Sequence, residues 1–308
     1  MNNSKTTSSV ILLFLAALIW GFSFVAQSDG GMALGAFSFN GLRLLYTALV
    51  LRFVMFVTDR IGISHSPVSP ADKKRQLFAG IVCGIFLFIA TNFQQVGLNL
   101  GASAGKAGFI TSMYILMVPL IGLFFRQKIS WNIWVAVAIA LVGLYFLCVH
   151  GSFAFSPPDV CLILGALGFA GQILTIDRYG NHVDSLRLSG MQFLTAGFLT
   201  VVIAVIFEII PSQGGFLGWV EPLTHWKMWL ELSYMGILSG GIAYTLQIFC
   251  QKKLNPTIAS LIMSFEAVFS ALAGWLLLNQ RLSTREIIGC VIMFAAVIIA
   301  QIRFHKKT

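Results

Sequence analysis

Apolar runs of 17 to 25 residues, each closed off by charge, proline, glycine or asparagine, recur along the whole chain at 9–27, 36–57, 76–97, 103–125, 131–149, 158–177, 187–209, 227–250, 256–278 and 284–302. A hydrocarbon core about 30 Å thick takes about 20 residues of helix to cross, so each run predicts a membrane span and the chain predicts ten. The longest connections, 58–75 and 210–226, are too short to fold as separate domains. The first run is too long for the apolar part of a cleaved secretory signal, and further spans follow it at once.

Helix-start chemistry agrees with these boundaries, because a side-chain oxygen must satisfy the backbone donors that a helix leaves open at its beginning. Ser69-Pro70-Ala71-Asp72 and Ser156-Pro157-Pro158-Asp159 each offer a serine cap, a proline in the first turn and an acid at the third position. Asn255-Pro256 repeats the arrangement, and Ser283 with Glu286 forms a capping box before the last run. Pro119 lies inside the fourth run, where a missing N–H predicts a bend.

Composition sharpens the class. Of 308 residues, 57% are apolar and 10% charged, against roughly a quarter charged in a soluble domain, so too little polar surface is present to coat a water-soluble body. The net charge of +9 sits in short clusters between apolar runs rather than in one stripe, which suits an anionic lipid surface and not nucleic acid. With the amino terminus inside, fourteen Lys and Arg fall in cytoplasmic segments and three, Lys227, Arg281 and Arg285, fall outside, so both termini are expected in the cytoplasm. Cys83, Cys148, Cys161, Cys250 and Cys290 lack metal-ligand spacing and read as small residues of the helix core. No metal and no cofactor is expected.

The order of features repeats. At an offset of 153 residues Gln94 meets Gln247, Gln127 meets Gln280, Lys128 meets Arg281 and Ser130 meets Ser283; at 149, Arg43 meets Gln192. Residues 1–150 and 151–308 then hold five spans each. An odd number of crossings forces the halves into opposite orientations, an architecture used by carriers that rock one repeat against the other. The chain resembles the EamA-type family of the drug/metabolite transporter superfamily through Leu18-Ile19-Trp20-Gly21-Phe22-Ser23-Phe24, Asn40-Gly41-Leu42-Arg43, Gly97-Leu98, Ser103 to Thr111, Tyr114 to Leu120, and Ala259-Ser260 to Gly274 including Glu266. Gln127 and Gln280 depart from that family's pattern, standing where it usually carries Glu after spans 4 and 9. The resemblance implies a secondary carrier of small metabolites, often an exporter.

Ionisable groups inside hydrocarbon are costly and tend to be paired or to face a wet cavity. Glu266 lies ten residues into span 9, about 15 Å along it, and is the candidate for neutralising a substrate amine or cycling a proton. Arg43 and Lys106 enter from the outer side and are candidates for a carboxylate or phosphate, with helix locking as the alternative reading. Arg52 reads as a snorkelling anchor. Asn92, Gln94, Gln95, Gln172, Gln192, Tyr244 and Gln247 form the neutral polar set, in which Gln94 and Gln247 are repeat partners and Tyr244 shares a face with Gln247. Tyr114 and Trp20 complete the candidates for substrate binding. The GxxxG patterns Gly80–Gly84 and Gly236–Gly240 read as close helix packing.

The expectation is therefore an all-α, multi-pass protein of the cell membrane, suited to a bacterial inner membrane, that transports a small polar or zwitterionic metabolite such as an amino acid. Export is the expected direction, proton coupling is open, and the protein is expected to act as a monomer or homodimer among membrane lipids. A channel or receptor is the alternative. An intramembrane enzyme is disfavoured because His65, His150, His182, His225 and His305 all lie outside the apolar runs, no HExxH occurs and no pair of carboxylates is visible in the interior of the spans.

Overall fold

The computed structural model describes residues 3–61, 69–102, 104–127, 129–148, 156–212, 215–278 and 283–301. Ser103 and Lys128, Gln280 and Arg281 of the repeat, His65, His150, His305 and the Cys148 side chain lie outside the described residues. The described residues are helical with no strand. In chain order the helices are α1 (Asn3–Leu34), α2 (Ala36–Arg60), α3 (Pro70–Asn99), α4 (Ala104–Ser112), α5 (Tyr114–Phe124), α6 (Trp131–Cys148) and α7 (Pro157–Tyr179), followed by α8 (Ser185–Ala204), α9 (Gly215–Val220), α10 (Trp226–Ser233), α11 (Tyr244–Gln251), α12 (Pro256–Met263), α13 (Glu266–Leu278) and α14 (Thr284–Gln301). Among the described residues, eight stretches are long and apolar enough to cross a membrane: Thr7–Leu34, Ala36–Arg60, Pro70–Asn99, Lys106–Phe124, Pro157–His182, Ser185–Ile209, Trp226–Gln251 and Pro256–Ala273. Of the other two expected spans, α6 is a shorter apolar helix over Trp131–Leu147 and α14 pairs with it, Gly143 lying against the Gly289 carbonyl.

The four start signals form as local chemistry requires. Ser69 accepts from the Ala71 amide at 3.1 Å, Asn255 from the Thr257 amide at 2.9 Å, and capping boxes close at Ser156–Asp159 and Ser283–Glu286. α1 runs past its expected end at residue 27 to Leu34, through Asp29-Gly30-Gly31. Side chains from α3 supply the reason: Gln95 donates to the Gln27 carbonyl at 2.9 Å and Asn99 to the Gly31 carbonyl at 2.7 Å, so the polar last turns of α1 are satisfied by a neighbour instead of water. The segment 210–226, read as a connection, contains α9 and a 3₁₀ turn over Glu221–Thr224.

Two expected spans are interrupted. Span 4 breaks at Met113, with Pro119 lying within α5, and span 9, read as one helix, breaks at Ser264–Phe265, where no proline is present. Both breaks are single tight turns, with Leu116 N–H reaching Met113 O and Ala267 N–H reaching Ser264 O. Span 8 widens into a π-helix over Tyr234–Ala243. The wider winding puts carbonyls out of register, and side chains take two of them: Thr47 donates to Gly236 O at 3.0 Å and Trp20 to Ser239 O at 3.3 Å.

Small residues set the crossings. α3 packs along both α7 and α8, α2 packs along α8, and α1 packs along α13. Gly84 meets Thr195 and the Gln192 carbonyl, Gly80 meets Met191, and Gly240 meets Thr47, so both GxxxG patterns seat a neighbouring helix. The surface is inverted relative to a soluble protein. Phe124 is 87% exposed and Phe53 68% exposed, whereas Asn40, Gln95, Gln172, Gln192 and Thr200 are wholly buried.

Candidate functional site

The two helix breaks lie against each other. Tyr114 is the first residue of α5 and Glu266 the first of α13, and the Tyr114 hydroxyl donates to Glu266 Oε1 at 3.2 Å. Glu266 is thereby held in the first turn of a half-helix, where the backbone N–H groups favour negative charge. A narrow cavity opens at this point, between α1, α2, α3, α5, α7, the π-helix, α11, α12 and α13.

Trp20, Arg43, Gln94, Tyr114, Tyr244, Gln247 and Glu266 all line this cavity, so seven of the eight residues singled out from sequence meet in one place. They come from six helices, and most are buried: Arg43 is 5% exposed and Glu266 8% exposed. The Arg43 Nε donates to Asn40 Oδ1 at 2.8 Å. Asn40 is in turn fixed by donating to Asn92 Oδ1 at 2.9 Å and to Thr91 Oγ1 at 3.2 Å, and Asn92 donates to Thr200 Oγ1 at 2.7 Å. The guanidinium is aimed by this amide chain and forms no ion pair among the described residues. One buried cation and one buried carboxylate thus share a cavity without neutralising each other through a salt bridge.

The remaining walls are amide and aromatic. Gln247 donates to Gln172 Oε1 at 3.0 Å, and Gln172 donates to Gln192 Oε1 at 3.1 Å. Gln94 donates to Thr111 Oγ1 at 3.2 Å, so the repeat partners Gln94 and Gln247 share the cavity without bonding to each other. Gln247 Oε1 and Gln27 Oε1 are buried acceptors with no hydrogen-bond partner, a costly state that a donor on a bound solute would relieve. Trp20 and Tyr244 meet edge to face at 4.9 Å, and the Phe169 ring lies 6.3 Å from that of Tyr114, so these four side chains make the aromatic wall.

Lys106 is the expected site residue that the structure places elsewhere. Its Nζ lies 2.8 Å from Asp159 Oδ2 and 3.3 Å from Ser156 Oγ, at the capped start of α7, and it does not line the cavity. Depth along a span could not show this, because Asp159 is brought to Lys106 only when α4 packs on α7. Ser23, Phe24, Gln27, Ser239 and Met263 line the cavity and were not among the expected site residues. Trp20, Ser23, Phe24 and Gln27 follow one face of α1 at spacings of three and four, a signal present in the sequence.

The free volume at the centre of the cavity is about 40 Å³, room for a few water molecules and far below the several hundred Å³ of a metabolite pocket. The arrangement offers an acid for an ammonium or other cation, a guanidinium for a carboxylate, amides for hydrogen bonds and ring faces for stacking. No group of His, Cys, Asp and Glu suited to a metal ion occurs among the described residues.

The profile of the EamA-like transporter family matches residues 7–149 and again residues 157–301. An uncharacterised transporter of Archaeoglobus fulgidus is 27% identical over 301 residues, 94% of this chain and 85% of that protein. A protein of Rickettsia bellii named as an S-adenosylmethionine uptake transporter is 24% identical over 301 residues, 96% of this chain and 94% of its own length. A solved crystal structure shares the fold with a TM-score of 0.72 at 19% identity, covering 96% of both chains.

Proposed function

The chain belongs to the EamA-like transporter family and is a multi-pass protein of the cell membrane, and from that premise we propose that it carries a small zwitterionic metabolite, an amino acid or a compound bearing an amino-acid group, by alternating access. The observation that carries the reading is the burial of Glu266 and Arg43 in one cavity where two helices are interrupted. A zwitterion presents one cation and one carboxylate. Glu266 receives the first, Arg43 the second, and the aromatic wall takes the body of the solute. The name of the Rickettsia relative supports this class, since S-adenosylmethionine carries both charges.

The proposed architecture is ten helices in two inverted five-helix repeats, residues 1–150 and 151–308, with both termini cytoplasmic. The two family matches, one in each half, support it, as do the breaks in α4–α5 and α12–α13 at corresponding places. The small central volume supports an alternating mechanism, because a solute enters only when the walls move apart. Direction follows the gradients imposed on such a carrier. The export expected from sequence and the uptake named for the Rickettsia relative are both open to one site of this kind.

The test is reconstitution of the full chain in proteoliposomes. Saturable counterflow of labelled amino acids or S-adenosylmethionine is expected, with a response to an imposed pH gradient that Glu266→Gln abolishes while the protein still inserts. Flux that never saturates and shows no counterflow would point to a channel, and a pH response unchanged in Glu266→Gln would remove Glu266 from coupling.

A further inference from the structure

A second cavity, of about 730 Å³, lies at the end of the bundle where α2 finishes and α3 and α8 begin. Its chemistry is divided. Three cations, Arg52, Lys73 and Arg187, line it together with apolar side chains. Leu49, Leu77 and Leu194 of that wall are 69%, 48% and 50% exposed, and they belong to the outward apolar surface of membrane-spanning helices. We infer that this groove holds one anionic phospholipid, its phosphodiester among the three cations and an acyl chain along the leucines.

Charge complementarity selects the occupant. Arg52 and Lys73 have no acidic partner among the described residues. Arg187 gives Nη2 to both oxygens of Asp59, at 2.6 and 2.7 Å, which leaves its buried Nε without a hydrogen-bond partner. No carboxylate lines the groove itself, so its three cations, with Asp59 bound to one of them, leave an excess of positive charge, while Asp72 and Asp184 at the starts of α3 and α8 offset the helix ends there. A zwitterionic lipid brings no net charge to this excess, and a soluble anion leaves the apolar wall uncovered. Dimensions agree as well: Leu45 to Met55 spans about 15 Å of α2, close to half the thickness of a bilayer core. Gln76 of the groove lining accepts from Asp184 N at 2.9 Å and donates to Asp184 O at 3.5 Å, tying α3 to the start of α8.

The test uses the full chain in a neutral detergent, offered equal amounts of phosphatidylglycerol and phosphatidylcholine, with retained lipid counted by native mass spectrometry. One phosphatidylglycerol is expected to be retained in preference to phosphatidylcholine. Joint Arg52→Gln and Lys73→Gln substitution is expected to weaken that retention by roughly 10- to 25-fold, about three- to fivefold per cation, with phosphatidylcholine unaffected. Leu194→Trp, which fills the groove without altering the cations, is expected to lower retention too, and it serves if the charge variant does not assemble. Equal retention of the two lipids by the unaltered protein would overturn the inference. So would full retention by either variant. Displacement of phosphatidylglycerol by millimolar inorganic phosphate would overturn it in favour of a soluble-anion site.

Discussion

Gly168 sets how closely α7 approaches α3, and its replacement by alanine has a calculable effect. A Cβ at Gly168 would stand 2.7 Å from the Ala90 nitrogen, 2.9 Å from its Cα and 3.0 Å from its Cβ. Relaxed contacts between such atoms are about 3.5–4.0 Å, so the helices must part by roughly 1 Å, and backbone cannot rotate out of the way. Overpacking of this kind costs about 1–3 kcal/mol, offset by about 1 kcal/mol of helix propensity regained on replacing glycine. Because the clash is with backbone, the upper part of that range, about 2–3 kcal/mol, applies, and the net loss of about 1–2 kcal/mol predicts a melting temperature lower by roughly 2–8 °C. Gln94 and Gln172 each lie one turn beyond this contact and line the cavity, so transport should fall as well. Thermal unfolding in detergent and solute uptake in proteoliposomes are the assays. Gly108→Ala in α4 is the control, because nothing lies within 4 Å of a Cβ there. If Gly168→Ala melts with the unaltered protein and transports at its full rate, the close approach of α3 and α7 is not what spaces the cavity.

Other substitutions separate binding from assembly. Arg43→Lys loses the 2.8 Å bond to Asn40 and the planar fork, so KM for carboxylate-bearing solutes should rise about tenfold while solutes lacking a carboxylate are unaffected; an equal rise for both classes refutes the assigned contact. Lys106→Met leaves the buried Asp159 without its 2.8 Å ion pair, and about 1–3 kcal/mol of stability should be lost with KM unchanged, as melting curves and uptake kinetics would show. Glu208 accepts from Phe37 N at 2.9 Å and Ser38 N at 2.6 Å at the start of α2, so Glu208→Gln should cost about 1 kcal/mol, read as a lower melting temperature with substrate affinity retained.

Much of the site is legible in the sequence as residue types and little of it as geometry. Arg43 and Glu266 stand out because a charge within an apolar run is conspicuous, and Gln94 and Gln247 because a repeat pairs them. Lys106 is equally conspicuous, yet Asp159 claims it through a contact between α4 and α7 that no local spacing encodes. Glu208 lies at the end of an apolar run and gives no sign that it caps α2, since its partner Ser38 is 170 residues away. The helix breaks are partly hidden for the same reason. Pro119 draws attention to span 4, but the chain turns at Met113, and at the turn in span 9 the Phe265 ring packs between Phe14 and Phe294, distant in sequence, at centroid distances of 5.0 and 4.9 Å.

Helix placement and the membrane habit follow from sequence alone, because they rest on two local quantities: the length of an apolar run against the thickness of hydrocarbon, and the presence of a capping oxygen at its start. The tertiary structure decided which polar groups face one another. In lipid a buried amide, carboxylate or guanidinium must find its partner within the protein, often on another helix, and those pairings are settled by where small residues let the helices touch.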